Sequence, residues 1–251
     1  MIDLSLCMIV KNEEKNLPDC LRSVKDVVNE IIIVDTGSTD KTIQVALDFN
    51  ADVIKTEWKN SFSVARNLSI SQALGKWILY LDADERLEPT STVELLSIVQ
   101  TNAHKVYSCL IKSEYKIFDT KDEIRGNRLF RNHSDLFFQN LVHEEIWYSA
   151  KRLGFTGEHS NIIINHLGYS ADLEVMQKKA QRNLELLLAE IKILSTPLRN
   201  YEIAQSYGIL GDLKKVREYL IKVKSFGKKN VQSYHWEEAE KTLNQLRKIG
   251  V

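Results

Sequence analysis

Short apolar runs alternate with helix-period segments along the first part of the chain. Four of these runs suit buried strands: LSLCMIV (4–10), EIIIVDTG (30–37), ADVIKTEW (51–58) and KWILYLDADE (76–85). Between them, apolar residues three and four apart predict helices over 16–28, up to about 50, and over 63–73. This β-α order predicts a parallel sheet covered by helices, with ligands bound at the carboxyl ends of its strands.

After Pro89 the pattern changes. A helix is expected over 92–100, followed by strands at HKVYSCLI (104–111), EYKIF (114–118) and NIIINHLGY (161–169), which suggest mixed, largely antiparallel structure. From about Asp172 onward the chain is helical, with a turn at Gly211 and Asp212 between two helices. We therefore expect a first domain over 1–171 and a helical extension over 172–251.

Composition excludes several classes of protein. Of 251 residues, 43% are hydrophobic and 27% charged, which is ordinary globular usage and argues against disorder. The formal net charge is zero, so no global field would hold the protein on nucleic acid. No apolar run approaches the ~18 residues of a membrane span, and the opening residues do not resemble a secretory signal. A cytoplasmic protein is expected, with peripheral contact to a membrane left open.

The segment LYLDADERL carries the strongest chemical signal. Asp82 and Asp84 end an apolar run, and alternation along an extended chain would put both carboxylates on one side. Such a pair can hold a divalent cation that neutralises a diphosphate. The alternative is an acidic turn that caps a helix at Glu85.

Two further residues point to the same edge of the sheet. Asp35 ends the second predicted strand, and together with the turn TGSTD it could bind a nucleotide; helix capping is the alternative. Arg66, in SVARNLSIS, could contact phosphates through its fork of donors, although a lone arginine on an amphipathic helix is more often solvated.

Taken in order, MIVKNE, IIIVDTGSTDKT, ARN and GKWILYLDADERL resemble family 2 glycosyltransferases. The resemblance implies an α/β GT-A fold, the nucleotide-diphospho-sugar transferase fold, with a mainly parallel sheet flanked by helices. RLFRN, LVHEEI, INHLGY and the helical tail look like a subgroup that includes bacterial peptide glycosyltransferases and cell-envelope glycan transferases. The tail, a small all-α extension, resembles a tetratricopeptide repeat.

The resemblance implies a donor site for a nucleotide-diphosphate sugar, most simply a UDP-sugar. Asp82 and Asp84 would form the family's DxD motif and hold Mn²⁺ or Mg²⁺, with His166 as a third ligand or as an ordinary structural histidine. Arg66 would contact the diphosphate. The residues assigned to the nucleotide sugar are Val10, Asn12, Glu13, Asp35, Arg66, Asp82, Ala83, Arg128 and Arg131.

The family's reaction is inverting transfer of the sugar to an acceptor, which needs a base to remove the acceptor proton. The candidates for this base are Glu144 and Glu145 in LVHEEI, and Glu144 is preferred because Glu145 would face solvent. His143 would orient donor or acceptor, and the Glu-Asp pair of many relatives is missing. The acceptor would be a peptide, a protein or a cell-envelope glycan. The helical tail would bind the acceptor or form a homodimer.

Two other functions fit the same features less well. A nucleotidyltransferase would carry a Gly-rich basic loop after the first strand, where this chain has KNEEKN. A non-catalytic scaffold could use a sugar-nucleotide domain to present the tail to a partner. The joint presence of Asp35, Arg66, Asp82 and Asp84 argues against the scaffold, because a purely structural sheet does not need charged groups at these positions.

Overall fold

The computed structural model describes residues 3–115, 120–167 and 173–251. The Cα positions form two compact units, Met1–Ser170 and Ala171–Val251. Parts of the predicted strands, residues 116–118 and 168–169, lie outside the described residues, as does the predicted boundary at 171.

The first unit opens with the predicted alternation of strands and helices. Its elements are β1 (Leu4–Val10), α1 (Leu17–Val24), β2 (Glu30–Asp35), α2 (Thr42–Asp48), β3 (Asp52–Lys55), α3 (Phe62–Ser71) and β4 (Trp77–Tyr80). The strands pair in parallel, with β1 between β2 and β4. Helical crossovers allow this pairing, because parallel strands cannot be joined by tight turns.

The second half of the unit is mixed. Its elements are β5 (Glu85–Leu87), α4 (Thr92–Val99), β6 (Lys105–Tyr115), β7 (Thr120–Arg131), α5 (Trp147–Arg152) and β8 (Thr156–His166). One long strand, β6, replaces the two strands expected over 104–118, while β5, β7 and α5 are additions to the predicted elements. The eight strands form one sheet in the order β3-β2-β1-β4-β7-β6-β8-β5.

Both faces of the sheet are covered, as the apolar strands require. Leu4, Leu6 and Met8 belong to one hydrophobic cluster, and Cys7, between them in β1, belongs to a cluster on the opposite face. Complete burial of each such leucine side chain stabilises the fold by roughly 1.5–3 kcal/mol. The strands are fixed from both sides, which gives their carboxyl ends defined positions. The prediction of a mainly parallel sheet flanked by helices is confirmed.

The second unit consists of helices, also as predicted. They are α6 (Leu173–Ile191), α7 (Pro197–Leu210), α8 (Leu213–Ser225) and α9 (Ser233–Lys248). Gly211 ends α7 with φ +83°, a left-handed conformation that suits glycine, and the Asp212 carboxylate caps α8 by accepting the Lys215 N–H. Among the described residues, none of the helices combines the length and apolarity that crossing a bilayer requires.

Candidate active site

The carboxyl ends of β1, β2 and β4 meet at one edge of the sheet. The register places Val10 beside Asp35, and Tyr80 ends the strand on the other side of β1. Polar and charged residues follow each of these strand ends. The loops at this edge therefore form the candidate site.

Asp35 has two oxygens in different situations. It is 2% exposed, and its Oδ1 accepts the backbone N–H groups of Gly37 and Ser38 at 3.0 and 2.9 Å. Its Oδ2 is buried, with no hydrogen-bond partner among the described residues. One oxygen therefore builds the turn after β2, while the other remains a buried acceptor, which is costly unless something donates to it.

The loop after β1 is joined to the loop after β2. Asn12, at φ +56°, accepts the Thr39 N–H at 2.8 Å and donates its own backbone N–H to the Ser38 hydroxyl at 2.9 Å. The Glu13 N–H donates to the Thr42 hydroxyl at 2.7 Å. Val10, Asn12, Glu13 and Asp35 thus belong to one connected pair of loops.

Arg66 lies in α3 and is 5% exposed. Its Nη2 donates to Asp82 Oδ1 at 2.7 Å, and its Nε donates to Glu144. Burial lowers the pKa of Arg66, but the carboxylates of Asp82 and Glu144 outweigh burial and raise the pKa above its ordinary value. The guanidinium therefore stays charged between two acids that are far apart in sequence.

The next residue, Asn67, fixes the segment that leads to Glu144. Its side chain donates to the Phe138 carbonyl at 2.9 Å and accepts the Phe138 N–H at 2.7 Å. Farther along, Gln139 and Glu145 exchange two backbone hydrogen bonds across a short turn. The ARN motif therefore supplies Arg66 to the charged site and Asn67 to the segment that leads to Glu144, the partner of Arg66.

Within that turn, neighbouring residues point in different directions. The Glu144 side chain is 11% exposed, whereas the side chains of His143 and Glu145 are exposed. His143 and Asn140 have φ values of +50° and +76°, a left-handed conformation that histidine and asparagine adopt more readily than most residues. This backbone turns Glu144 toward Arg66 and His143 toward solvent.

Asp82 lies between two arginines. Strand β4 ends at Tyr80 and residues 83–84 form a turn, so the extended chain expected through Asp84 is absent. Arg128 Nη2 is 3.8 Å from Asp82 Oδ2. Burial raises the pKa of Asp82, but the guanidiniums of Arg66 and Arg128 outweigh it and hold the pKa well below its usual range.

Arg128 also contacts two residues that the sequence motifs did not assign to the site. Its Nη2 donates to Glu85 Oε1 at 2.6 Å, and its guanidinium lies 4.4 Å from the centre of the Tyr80 ring. The Arg66 guanidinium lies 4.6 Å from the same ring. Both distances suit cation–π contacts, so both arginines of the site pack against the Tyr80 ring.

Asp84 and His166 form a separate pair. His166 Nε2 is 3.5 Å from Asp84 Oδ2, and its Nδ1 is 3.1 Å from the Ser113 hydroxyl. Burial lowers the pKa of His166, but the hydrogen bond and charge of Asp84 outweigh it and raise the pKa. In the part of the chain that the structure describes, no three His, Cys, Asp or Glu side chains are arranged to hold a metal ion. Asp82 faces Arg66 instead of completing the predicted trio.

Arg131 and Ala83 lie apart from these charged contacts. Strand β7 runs antiparallel to β4, so Arg131 pairs with Trp77 at the amino end of β4, and its guanidinium donates to the Thr101 carbonyl. Arg128, three residues earlier, lies near Tyr80 at the carboxyl end. Ala83 is buried, and its carbonyl accepts from Arg86. The direction of β7 thus separates two arginines that the sequence groups together.

A family model agrees with this geometry. The model of glycosyl transferase family 2 matches residues 5–158, more than half of the chain. The chain belongs to glycosyl transferase family 2. The matched range includes Asp35, Arg66, Asp82, Arg128 and Glu144, and the prediction of a glycosyltransferase is confirmed at the level of the family.

Curated relatives of the chain are longer than the chain itself. A TPR repeat-containing protein of Synechococcus elongatus is 36% identical over 229 residues, which cover 88% of this chain and 56% of the relative. The SPbeta prophage-derived glycosyltransferase SunS of Bacillus subtilis is 33% identical over 185 residues, 71% of this chain and 43% of the relative. The chain thus spans about half the length of these two relatives.

Solved structures confirm the GT-A type of fold. The crystal structure of S. aureus TarS 1–349 matches with a TM-score of 0.52 and 17% identity, over 96% of this chain and 80% of that chain. The same TarS fragment in complex with UDP-GlcNAc matches with a TM-score of 0.52 and 14% identity, over 98% of this chain and 92% of that one. At these identities the likeness concerns the fold.

Three residues of the site escaped the sequence motifs: Tyr80, Glu85 and Asn67. The first two lie within LYLDADERL and the third within ARN, so each adjoins a residue that was selected. Tyr80 and Glu85 could have been noticed by residue type, because an aromatic residue and an acid flank the two aspartates. The contacts of all three depend on strand pairing and on the packing of α3 against the loop at Phe138, which the motifs do not contain.

Proposed function

We propose that the chain transfers a sugar, with inversion, from a UDP-type nucleotide-diphosphate donor to an acceptor. The observation that carries the proposal is the position of two arginines, one buried and one nearly buried, among carboxylates at the carboxyl edge of the sheet. Arg66 bridges Asp82 and Glu144, and Arg128 lies beside Asp82. Fixed cations stabilise a diphosphate leaving group, and a nearby carboxylate can accept a proton.

The joined loops at Asn12 and Asp35 would bind the nucleoside. Asp35 Oδ2 is a buried acceptor without a partner among the described residues, which suits an N–H of a pyrimidine base. Val10, Asn12 and Glu13 would shape the same pocket through the hydrogen bonds between the two loops. Arg66 and Arg128 would then face the diphosphate.

The donor set suits a divalent cation in part. Asp84 Oδ2 and His166 Nε2 present an oxygen and a nitrogen ligand close together, and Ser113 holds the other ring nitrogen, as is usual for a metal-binding histidine. Asp84 and His166, together with Asp82, would hold Mn²⁺ or Mg²⁺. A bound cation would supply positive charge to the diphosphate.

Glu144 would act as the base. Its carboxylate is nearly buried and bonded to Arg66, which holds it in one orientation beside the proposed donor site. Arg66 would thereby connect the donor side, at Asp82, with the acceptor side, at Glu144. His143, exposed on the same turn, would contact the acceptor.

The acceptor and the role of the helices form a separate part of the proposal. Residues 1–171 would carry the transferase site, and residues 172–251 would bind a peptide, protein or glycan acceptor or form a homodimer. The tetratricopeptide-like pair α7 and α8 supports this role, because a single such repeat needs a neighbour to cover its faces.

Donor binding and transfer test the proposal. Calorimetry of the full chain with UDP and Mn²⁺ should show binding that chelator weakens, and Asp84→Ala should lose this metal dependence. Glu144→Gln should lower transfer by at least about 100-fold while UDP binding is retained. Glu145→Gln is the matched control and should keep wild-type turnover. Absence of UDP binding, or equal turnover of the Glu144 and Glu145 variants, would contradict the proposal.

A further inference from the structure

Glu85 is a buried acid beside the proposed donor site. It begins β5, a three-residue edge strand that pairs with the end of β8 and places Glu85 opposite His166. It is 1% exposed. A carboxylate this deeply buried is unfavourable unless it is paired and hydrogen-bonded, so its contacts indicate why it is there.

Both oxygens of Glu85 are used, and both partners belong to the charged site. Oε2 accepts the backbone N–H of Asp82 at 2.9 Å, which fixes the carboxylate on the turn after β4. Oε1 accepts from Arg128 Nη2 at 2.6 Å. Glu85 therefore ties an arginine of β7 to the turn that carries Asp82.

The two acids compete for the same nitrogen of Arg128. Nη2 is 2.6 Å from Glu85 and 3.8 Å from Asp82 Oδ2, so Glu85 holds the closer contact. The Arg128 side chain is 12% exposed, and attraction between charges at such a site is stronger than in water. Without Glu85, the guanidinium would move onto Asp82.

We infer that Glu85 is a positioning residue that holds the Arg128 guanidinium at the donor diphosphate and away from close pairing with Asp82. This inference rests on the proposed function, because the diphosphate belongs to the proposed donor. Glu85 acts through Arg128 and does not contact the donor. Its loss should weaken binding of the phosphates and leave binding of the nucleoside unchanged.

The test compares UDP with uridine on the full chain. Glu85→Gln keeps an oxygen for the Asp82 N–H but presents an amide N–H to Arg128. UDP affinity, measured by calorimetry with Mn²⁺, should fall at least 10-fold, while uridine affinity, measured by NMR titration, should stay within 2-fold. Glu88→Gln is the matched control, since Glu88 bonds Asn165 and not Arg128, and it should change neither affinity. Equal losses for UDP and uridine would overturn the inference.

A double variant distinguishes the positioning of Arg128 from a general loss of structure at the site. Glu85→Gln combined with Arg128→Gln should bind UDP as tightly as Arg128→Gln alone, because Glu85 acts only through that arginine. Losses that multiply would overturn the inference. If Glu85→Gln alone does not fold, the double and Arg128 variants decide by the same comparison. If wild-type protein binds no UDP, the proposed function fails; if wild type binds it and Glu85→Gln binds it equally well, this inference alone fails.

Discussion

Each unit contains an arginine held between two carboxylates. Arg66, in the first unit, is 5% exposed and pairs with Asp82 and Glu144. Arg199, in the second, is 8% exposed; its Nε is 2.8 Å from Glu190 Oε2, and its Nη1 donates to Glu202. The ion pairs are alike in chemistry and differ in what surrounds them.

The difference lies in where the partners come from. Glu202 is three residues from Arg199 on α7, and Glu190 lies on α6, the helix before it, so local helix packing holds the group together. The partners of Arg66 are 16 and 78 residues away, one after the end of β4 and the other in the turn between Gln139 and Glu145, and the Asp82 side chain is 38% exposed. Arg199 therefore stabilises the packing of α7 on α6. Arg66, in contrast, pairs with Asp82, which a ligand can reach.

The largest effect is expected from Arg66→Met. It removes a fixed cation from the proposed diphosphate site and leaves Glu144 without its guanidinium, so transfer should fall at least about 100-fold. Stability should fall less than it does for the matching change at Arg199, since Asp82 keeps Arg128 and contact with water. Turnover with a UDP-sugar donor checks the first statement, and unfolding followed by circular dichroism checks the second.

Arg199→Met serves as the matched control for that comparison. It should keep UDP affinity close to wild type, because Arg199 and its partners Glu190 and Glu202 belong to the helical unit and not to the proposed donor site. Equal losses of UDP affinity in the Arg66 and Arg199 variants would remove the distinction between the arginines.

Arg199→Met should instead destabilise the helical unit, by about 3–5 kcal/mol. Two nearly buried carboxylates, Glu190 and Glu202, would lose their shared cation, and removing one partner of a buried pair leaves an uncompensated charge. Native-state hydrogen exchange of the α7 amides measures this locally. Adding Glu190→Gln and Glu202→Gln should recover most of the loss; no recovery would mean that the charges are not its cause.

Much of the fold could be predicted from the sequence, because the first four strands and their helices carry their own periodicity. LSLCMIV, for example, matches β1 residue for residue. Strand β5 could not be predicted, since three residues contain no period and their pairing partner in β8 lies far along the chain. Strand β6 was expected as two strands because its polar residues Lys112 and Ser113 resemble a break.

The candidate site likewise contains residues that the sequence could predict and residues that it could not. Asp35, Arg66 and Asp82 could be selected because they follow strand ends or lie in compact motifs. The choice between Arg128 and Arg131 depends on the direction of β7 against β4, which NRLFR does not contain. Glu85 looked like one more acid of DADE, and only the pairing of β5 shows that it is buried.

The smallest effect is expected at Glu218, an exposed acid of α8 that pairs with two lysines. Its oxygens lie 2.8 Å from Lys215 Nζ and from Lys222 Nζ, but its side chain is 43% exposed. The hydrogen bonds of Lys215 and Lys222 lower the pKa of Glu218 from 4.5 to about 2. Solvent screening limits the contribution to less than about 1 kcal/mol.

The pH dependence of Glu218→Gln follows from that lowered pKa. A carboxylate whose pKa is lower in the folded state stabilises the fold above the unfolded pKa, and the stabilisation is lost as pH falls from 4.5 toward 2. The difference in free energy of unfolding between wild type and Glu218→Gln should therefore be largest at neutral pH, shrink over this interval and decrease with salt. Urea unfolding at several pH values measures it. Glu240→Gln, which removes a lysine contact of 3.5 Å, is the control with a smaller effect. If Glu218→Gln lowered the free energy of unfolding as much as Arg199→Met, exposure would not distinguish these ion pairs.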